Sequence, residues 1–181
     1  IHLPVQSGSS EILKLMGRRY DREHYLSLVK QMREKIPGLS LSTDIIVGFP
    51  NENDEQFNDT LTLVDEVKYE SAFTFIYSPR KGTPAAKMKD NISKEVKGER
   101  FVTLCDRLEK YMEIDSNRYI GNTYKVLVDG VSKTKADMLS GYTESNKLVH
   151  FKGDLNLIGK IVNVKVLESH TYSLLGEVVN E

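Results

Sequence analysis

The segment Leu41-Ser42-Thr43-Asp44-Ile45-Ile46-Val47-Gly48-Phe49-Pro50 constrains the fold more than any other stretch of the chain. Successive side chains of a β-strand point to opposite faces. Read as a strand, this run sets Leu41, Thr43, Ile45 and Val47 on one face and Ser42, Asp44, Ile46 and Gly48 on the other. The first set calls for cover by helices. On the second face the carboxylate of Asp44 calls for a polar partner or a ligand. Gly48-Phe49-Pro50 ends the strand, and Asn53-x-x-Gln56 has the form of a capping box opening a helix. Where a strand's carboxyl end meets a tight turn and a helix amino terminus, α/β proteins hold their ligands.

Two further segments repeat the arrangement. Ile1-His2-Leu3-Pro4-Val5-Gln6-Ser7 reads as a strand, with Ile1, Leu3 and Val5 on one face and His2 and Gln6 on the other. It runs into Ser7-Gly8-Ser9-Ser10 and a short helix. Residues 71–77 are aromatic and β-prone, with Phe73, Phe75 and Tyr77 in register, and end in a loop rich in proline and glycine. Amphipathic helices lie between, one with the stripe Tyr25, Val29, Met32 and Ile36, another with Phe57, Leu61 and Val64. Alternating strands and helices imply a parallel sheet with right-handed crossovers. A chain that opens directly on a strand is expected to be a piece of a larger barrel.

Beyond these elements the pattern changes. Residues 93–115 read as one long helix capped by Ser93, with the stripe Phe101, Leu104, Cys105, Leu108 and Met112. Cys105 is the one cysteine, so the 181 residues can form neither an internal disulfide nor a cysteine-only metal site, and a small core residue is its expected role. After Ser116 the helical period stops. Segments 124–130, 138–143, 147–151, 160–168 and 172–179 alternate as short strands punctuated by glycines, the signature of a small barrel of the oligonucleotide-binding kind. The expected division is therefore 1–116 and 117–181, joined by the long helix. Hydrophobic content of 39% and charge of 28% are those of a globular protein, and no apolar run approaches a membrane span. Residues 117–181 carry eight Lys/Arg against seven Asp/Glu, and residues 1–116 seventeen against nineteen. Neither part is strongly basic, so a nucleic-acid surface has to be a local patch. Lys133, Lys135, Lys147 and Lys152 fall near the turns of the second part, with Tyr142 and Phe151 between them, and supply the ingredients of one.

Five motifs in a fixed order resemble one family. They are His2-Leu3-Pro4-Val5-Gln6-Ser7-Gly8-Ser9, Met16-x-Arg18-x-Tyr20-x-Arg22-Glu23, Ser42 through Pro50, Ser71 through Arg80, and Gly82-Thr83-Pro84-Ala85-Ala86-Lys87-Met88. Together they resemble the radical S-adenosylmethionine (SAM) methylthiotransferases that modify tRNA, the MiaB type. Residues 117–181, with Gly141-x-Thr143-x-x-Asn146-Lys147-x-Val149 and Ser173-Leu174-x-Gly176, resemble the TRAM domain that ends those enzymes.

The resemblance implies an α/β partial TIM-like barrel, the carboxy-terminal half of a radical-SAM core, followed by the five-stranded TRAM barrel. It implies SAM and two 4Fe-4S clusters as cofactors of the whole enzyme. One cluster would be held by three cysteines at CxxxCxxC spacing, leaving an iron open for the amino and carboxylate groups of SAM. Those cysteines are not in this chain, so by itself it is expected to be inactive. The implied reaction adds a methylthio group to the isopentenylated adenosine beside the tRNA anticodon. The implied partners are the anticodon stem-loop and the amino-terminal domains of the same polypeptide, in the cytoplasm and with no membrane. Candidate cofactor contacts are Gln6, Ser7, Arg18, Ser42, Asp44, Ile46 and Gly48. Ser42 and Asp44 would hold polar parts of SAM or substrate, or else be satisfied by their neighbours. Gln6, Ser7 and the amides of Gly8 to Ser10 would meet a carboxylate or hydroxyl, or simply cap a helix. Arg18 offers a bidentate fork for a carboxylate, or a surface ion pair. Ile46 and Gly48 match the family's adenine contacts, and His2 is expected as a core histidine bound to backbone. Asn51, Lys81, Arg19 and Tyr142 depart from the family pattern, the last exchanging a phosphate contact for a stacking ring. The sister branch acting on threonylcarbamoyladenosine, and an RNA-binding module without SAM chemistry, are the alternatives. The run Phe73 through Arg80 favours the isopentenyl branch.

Overall fold

The computed structural model describes residues 1–135 and 137–179. The chain divides into two compact units, Ile1–Tyr111 and Met112–Glu181. Among the described residues no helix is long and apolar enough to cross a membrane.

The first unit contains helices α1 (Ser10–Leu15), α2 (Arg22–Lys35) and α3 (Asp54–Val67) and strands β1 (Ser42–Val47) and β2 (Ser71–Ile76). The first turns of α4 (Lys94–Asn117) also lie in it. β1 and β2 pair in parallel, from Ser42 opposite Ser71 to Val47 opposite Ile76. The alternation in β1 follows the pleat: Thr43, Ile45 and Val47 are fully buried, and Ser42, Asp44 and Ile46 are not. Val5, Ile12, Leu13, Leu63 and Val64 complete the core on the buried side, each such side chain worth roughly 1.5–3 kcal/mol of apolar burial. The Tyr69 hydroxyl donates to that of Tyr25 at 3.0 Å, which donates to the Leu3 carbonyl at 2.8 Å. Burial pushes both phenols above the ordinary tyrosine value.

The opening segment is not the continuous strand its alternation predicts. It makes two isolated parallel bridges to β1, His2 with Ser42 and Gln6 with Ile45. Pro4 lacks an N–H and Gln6 sits at φ +72°, so the ladder is broken between them. Thr43 fills the gap with its side chain, its hydroxyl accepting from the Val5 N–H at 3.0 Å and donating to the Leu3 carbonyl at 2.9 Å. Ile1 is left 54% exposed rather than packed.

The helices start where their caps are. Asn53 and Gln56 form the reciprocal capping box of α3, and Asp21 and Ser93 cap α2 and α4 through backbone N–H groups three residues on. Phe57, Leu61 and Val64 of α3 are buried as their spacing requires. In α2 the stripe holds for Tyr25 and Val29, but Ile36 lies past the helix end and is exposed. Leu104, Leu108 and Met112 of α4 are buried, whereas Cys105 is half-buried with its Sγ 3.5 Å from Thr74 Oγ1, not a full core residue.

The second unit is a closed five-stranded barrel of β3 (Thr123–Val131), β4 (Leu139–Thr143), β5 (Leu148–Lys152), β6 (Ile161–Ser169) and β7 (Leu174–Val178). The order around the barrel is β3-β4-β5-β7-β6, with β6 returning to β3. The β5–β7 pair is parallel and the other pairs are antiparallel. Inward positions Val126, Val128, Leu139, Val149, Phe151, Val164, Val166 and Leu174 fill the interior with Tyr119. Gly141 also points inward, and a Cβ there would lie 2.4 Å from the Leu127 carbonyl, so that position admits no side chain.

Candidate functional site

On the unburied face of β1 and β2 lies a cavity of about 640 Å³, within the range of small-molecule sites. Gln6, Arg18, Asp44 and Ile46 line it, together with Phe49, Phe75 and Tyr77. Three elements converge there because the carboxyl ends of β1 and β2 and the end of the opening segment share one rim. Asp44 is held by His2, whose Nε2 is 3.5 Å from its Oδ1 while Nδ1 meets Ser42 Oγ at 2.9 Å. His2 is thus an exposed side chain bridging two polar residues, not the backbone-bound core histidine expected. Gln6 is pinned by its backbone, which donates to the Asp44 carbonyl at 2.8 Å and accepts from Ile46 at 2.9 Å. Its positive φ turns the chain out of the ladder at the cavity wall. Arg18 is exposed, and no ion pair or hydrogen bond among the described residues engages its guanidinium. The aromatic side of the cavity is apolar, with Phe75 51% exposed and Phe49 set edge-on against Tyr77 at 5.1 Å. The Tyr77 hydroxyl is buried and has no hydrogen-bond partner among the described residues, which leaves a polar atom for a ligand to satisfy.

Three of the sequence-derived candidates lie elsewhere. Ser7 is fully buried, accepting from the Ser9 N–H at 3.2 Å and lying 3.4 Å from Thr60 Oγ1. The Gly8 N–H is likewise taken by Thr60 Oγ1 at 2.9 Å, so these groups tie the start of α1 to α3 and are not free for an anion. Ser42 is engaged by His2. Gly48 stands at φ +69° with the Lys97 side chain against it, where a Cβ would fall 2.6 Å from Lys97 Cγ. Its missing side chain makes room for α4, not for the cavity.

The turn after β1 is fixed from below. The Glu52 carboxylate is fully buried and accepts from the Gly48 N–H at 2.9 Å and from Arg100 Nη1 at 3.0 Å. Burial pushes its pKa up, against the pull of the Gly48 N–H and the Arg100 guanidinium. Arg100 also donates to Asp54 Oδ1 at 2.7 Å and lies over the Phe57 ring. Lys97 pairs with Asp90, and its ammonium sits 5.6 Å from the centre of the Tyr77 ring. Sequence reasoning does not reach Phe49, Phe75, Tyr77 or the Glu52–Arg100 pair as parts of the site. The aromatic alternation is visible in the sequence, but the pairing of Phe75 with Ile46 that turns it toward the cavity is not.

On the barrel the proposed nucleic-acid residues separate. Phe151 is fully buried in the core, because its inward register position leaves no ring for stacking. Lys147 is 7% exposed, its ammonium 5.9 Å from the Tyr119 ring centre, and is packed rather than presented. Lys133 and Lys152 are exposed, Lys135 half-buried and Tyr142 40% exposed. No group of three or more His, Cys, Asp and Glu side chains among the described residues could hold a metal ion.

A cavity at the carboxyl ends of parallel strands followed by a closed five-stranded barrel is a combination that family comparison identifies. Residues 1–64 match the radical SAM superfamily and residues 117–179 match the TRAM domain. Over all 181 residues the chain is 58% identical to the tRNA-2-methylthio-N(6)-dimethylallyladenosine synthase of Geobacillus kaustophilus (strain HTA426), covering 34% of it. It is also 58% identical to the synthase of the same name from Bacillus subtilis (strain 168), covering 36%. The chain therefore resembles MiaB-type radical-SAM tRNA methylthiotransferases and spans about a third of the length of these relatives.

Proposed function

We propose that the chain is the carboxy-terminal part of a tRNA-2-methylthio-N(6)-dimethylallyladenosine synthase, contributing the closing half of a TIM-like radical-SAM barrel and a TRAM domain that binds the anticodon stem-loop. The boundary proposed is 1–116 and 117–181. The observation that carries the reading is the convergence of Gln6, Arg18, Asp44 and Ile46 on one cavity in a chain 58% identical to such synthases. The cavity fits SAM chemically. It offers a carboxylate and a carboxamide for hydroxyl or ammonium groups, a guanidinium for a carboxylate, and Ile46 and Phe75 for an aromatic base. Ser7, Ser42 and Gly48 act behind these contacts, holding the rim in shape.

SAM, when bound, would supply the one-electron chemistry of such enzymes, with 4Fe-4S clusters held by cysteines outside this chain. What these residues do is bind and orient: Asp44, steadied by His2, meets polar groups at the strand ends, and the aromatic wall excludes water. The dimethylallyl substrate is favoured over threonylcarbamoyladenosine because the relatives carry that name. The test is the full-length protein with reconstituted clusters, given stem-loops bearing either nucleoside and analysed by mass spectrometry. Methylthiolated dimethylallyladenosine is expected, with the 181-residue chain alone giving neither product nor cluster absorbance. Product from the threonylcarbamoyl substrate alone moves the protein to the sister branch. No product from either, together with no SAM bound by the folded protein, reduces it to an RNA-binding module.

A further inference from the structure

The first unit carries a charge pattern that its cavity alone does not explain. Residues 78–97 hold six Lys/Arg against two Asp/Glu, whereas the other residues of 1–116 hold eleven against seventeen. A basic segment is thus set into an otherwise acidic stretch of chain. Both of its carboxylates are engaged within it: Asp90 pairs with Lys97, and Glu95 takes a hydrogen bond from Ser93 at the start of α4. Arg80, Lys81, Lys87, Lys89 and Lys94 are exposed, and among the described residues no ion pair engages any of them. Like charges gathered so closely repel one another, and a polyanion relieves that repulsion while releasing its own counterions.

The segment is shaped rather than loose. Pro79 and Pro84 fix the backbone at two points. The Thr83 N–H and hydroxyl both donate to the Arg80 carbonyl, at 3.1 and 2.8 Å, and close a turn. The same hydroxyl accepts from the Ala86 N–H at 3.3 Å and caps the 3₁₀ turn Pro84–Lys87. Asn91 ties the far end to the turn after β1, its Oδ1 accepting from the Asn51 N–H at 3.1 Å. Arg80, Thr83, Pro84 and Ala85 line the cavity itself. Lys81 and Lys87 bracket that lining in sequence, so the basic segment borders the cavity beside the exposed ring of Phe75. A nucleoside that enters from within a polynucleotide brings a phosphate on either side. Those phosphates have no place against an apolar wall and need cations at its edge.

We propose that residues 78–94 form a phosphate track for an RNA backbone at the mouth of the cavity. Arg80 takes the phosphate beside the entering nucleoside, and Lys81, Lys87 and Lys89 take its neighbours. The track rests on the reading that the substrate is RNA, and it uses residues of the first unit only. The test is the full-length protein with reconstituted clusters and a labelled anticodon stem-loop. Fluorescence anisotropy is followed from about 50 to 200 mM salt, with SAM binding measured by equilibrium dialysis. Lys81→Glu with Lys87→Glu and Lys89→Glu should weaken stem-loop binding about tenfold or more and lower the slope against log salt by about two. SAM affinity and melting temperature should stay at parent values. Arg80→Ala should raise the KM for the stem-loop about tenfold and leave SAM affinity unchanged. Lys30→Glu with Lys35→Glu, exposed on α2, should leave RNA binding as it is. Parent-like affinity and salt slope in the triple variant overturn the track. An equal loss in the Lys30/Lys35 variant overturns it too, reducing the effect to net charge. Lost SAM affinity with parent-like RNA binding in Arg80→Ala overturns the assignment of that residue and moves it to the SAM site. A parent protein that binds SAM but no stem-loop at low salt removes the RNA reading, and the track with it.

Discussion

Asp44 and Arg100 are both charged residues held by the turn-and-strand region around β1, yet they do opposite work. Asp44 is partly exposed at the cavity, and His2, whose Nε2 lies 3.5 Å from its carboxylate, is itself exposed. Arg100 is 9% exposed and neutralises a fully buried carboxylate. Asp44→Asn in the full-length protein should therefore weaken SAM binding, measured by equilibrium dialysis, about tenfold or more while changing the melting temperature little. Arg100→Ala strands the Glu52 carboxylate and should cost about 3–5 kcal/mol in denaturant unfolding of the 181-residue chain. An Asp44→Asn variant that loses stability and affinity together would make the residue a structural one.

At the scale of elements, the sequence announces more of the barrel than of the sheet. All five barrel strands fall where alternation and glycine punctuation put them, within two residues at most ends, because a two-sided strand writes its pattern locally. The opening segment alternates just as clearly and is not a strand, because Pro4 removes a ladder donor and the Thr43 hydroxyl, remote in sequence, takes over the pairing. Candidate residues follow the same division. Period two alone puts Asp44 and Ile46 on the open face of β1, whereas Ser7, Gly48 and Lys147 look available in sequence and are consumed by Thr60, Lys97 and Tyr119. Such long-range partners leave no local trace. Gly141 tests the element-level argument: Gly141→Val forces a side chain against the Leu127 carbonyl and Val126. Circular dichroism and thermal melting should show the barrel unit destabilised by roughly 1–3 kcal/mol or unfolded, and a parent-like melt would mean that the strands can separate there at no cost.

For the whole molecule, pH acts through carboxylates whose pKa values are shifted in opposite directions. For Asp65, burial raises the pKa, but hydrogen bonds from Arg107 and Tyr111 carry it below the ordinary range, and the Lys97 ammonium lowers that of Asp90. A depressed folded-state pKa gives stability that is present above the unfolded-state value and lost as pH falls through the folded one. Glu52 has a raised pKa, so its contribution is present below the ordinary carboxylate range and lost as pH rises through the folded value. Urea melts across a pH series should show stability falling on the acid side of the ordinary carboxylate range. Asp65→Asn combined with Asp90→Asn should flatten that fall, and an unchanged acid limb would assign it to other groups.

The strand order of the barrel also bears on how it is made. β7, the last of the five barrel strands to be made, is inserted between β5 and β6 and is bonded to both. A ribosome that has delivered everything before Leu174 therefore holds a sheet with two raw edges and an open seam, whatever the quality of the preceding strands. Closure must wait for the five residues of that strand, so until they emerge the nascent barrel is an open, sticky intermediate. A stop codon shortly upstream of Leu174 removes the one strand that closes the barrel and releases that intermediate permanently.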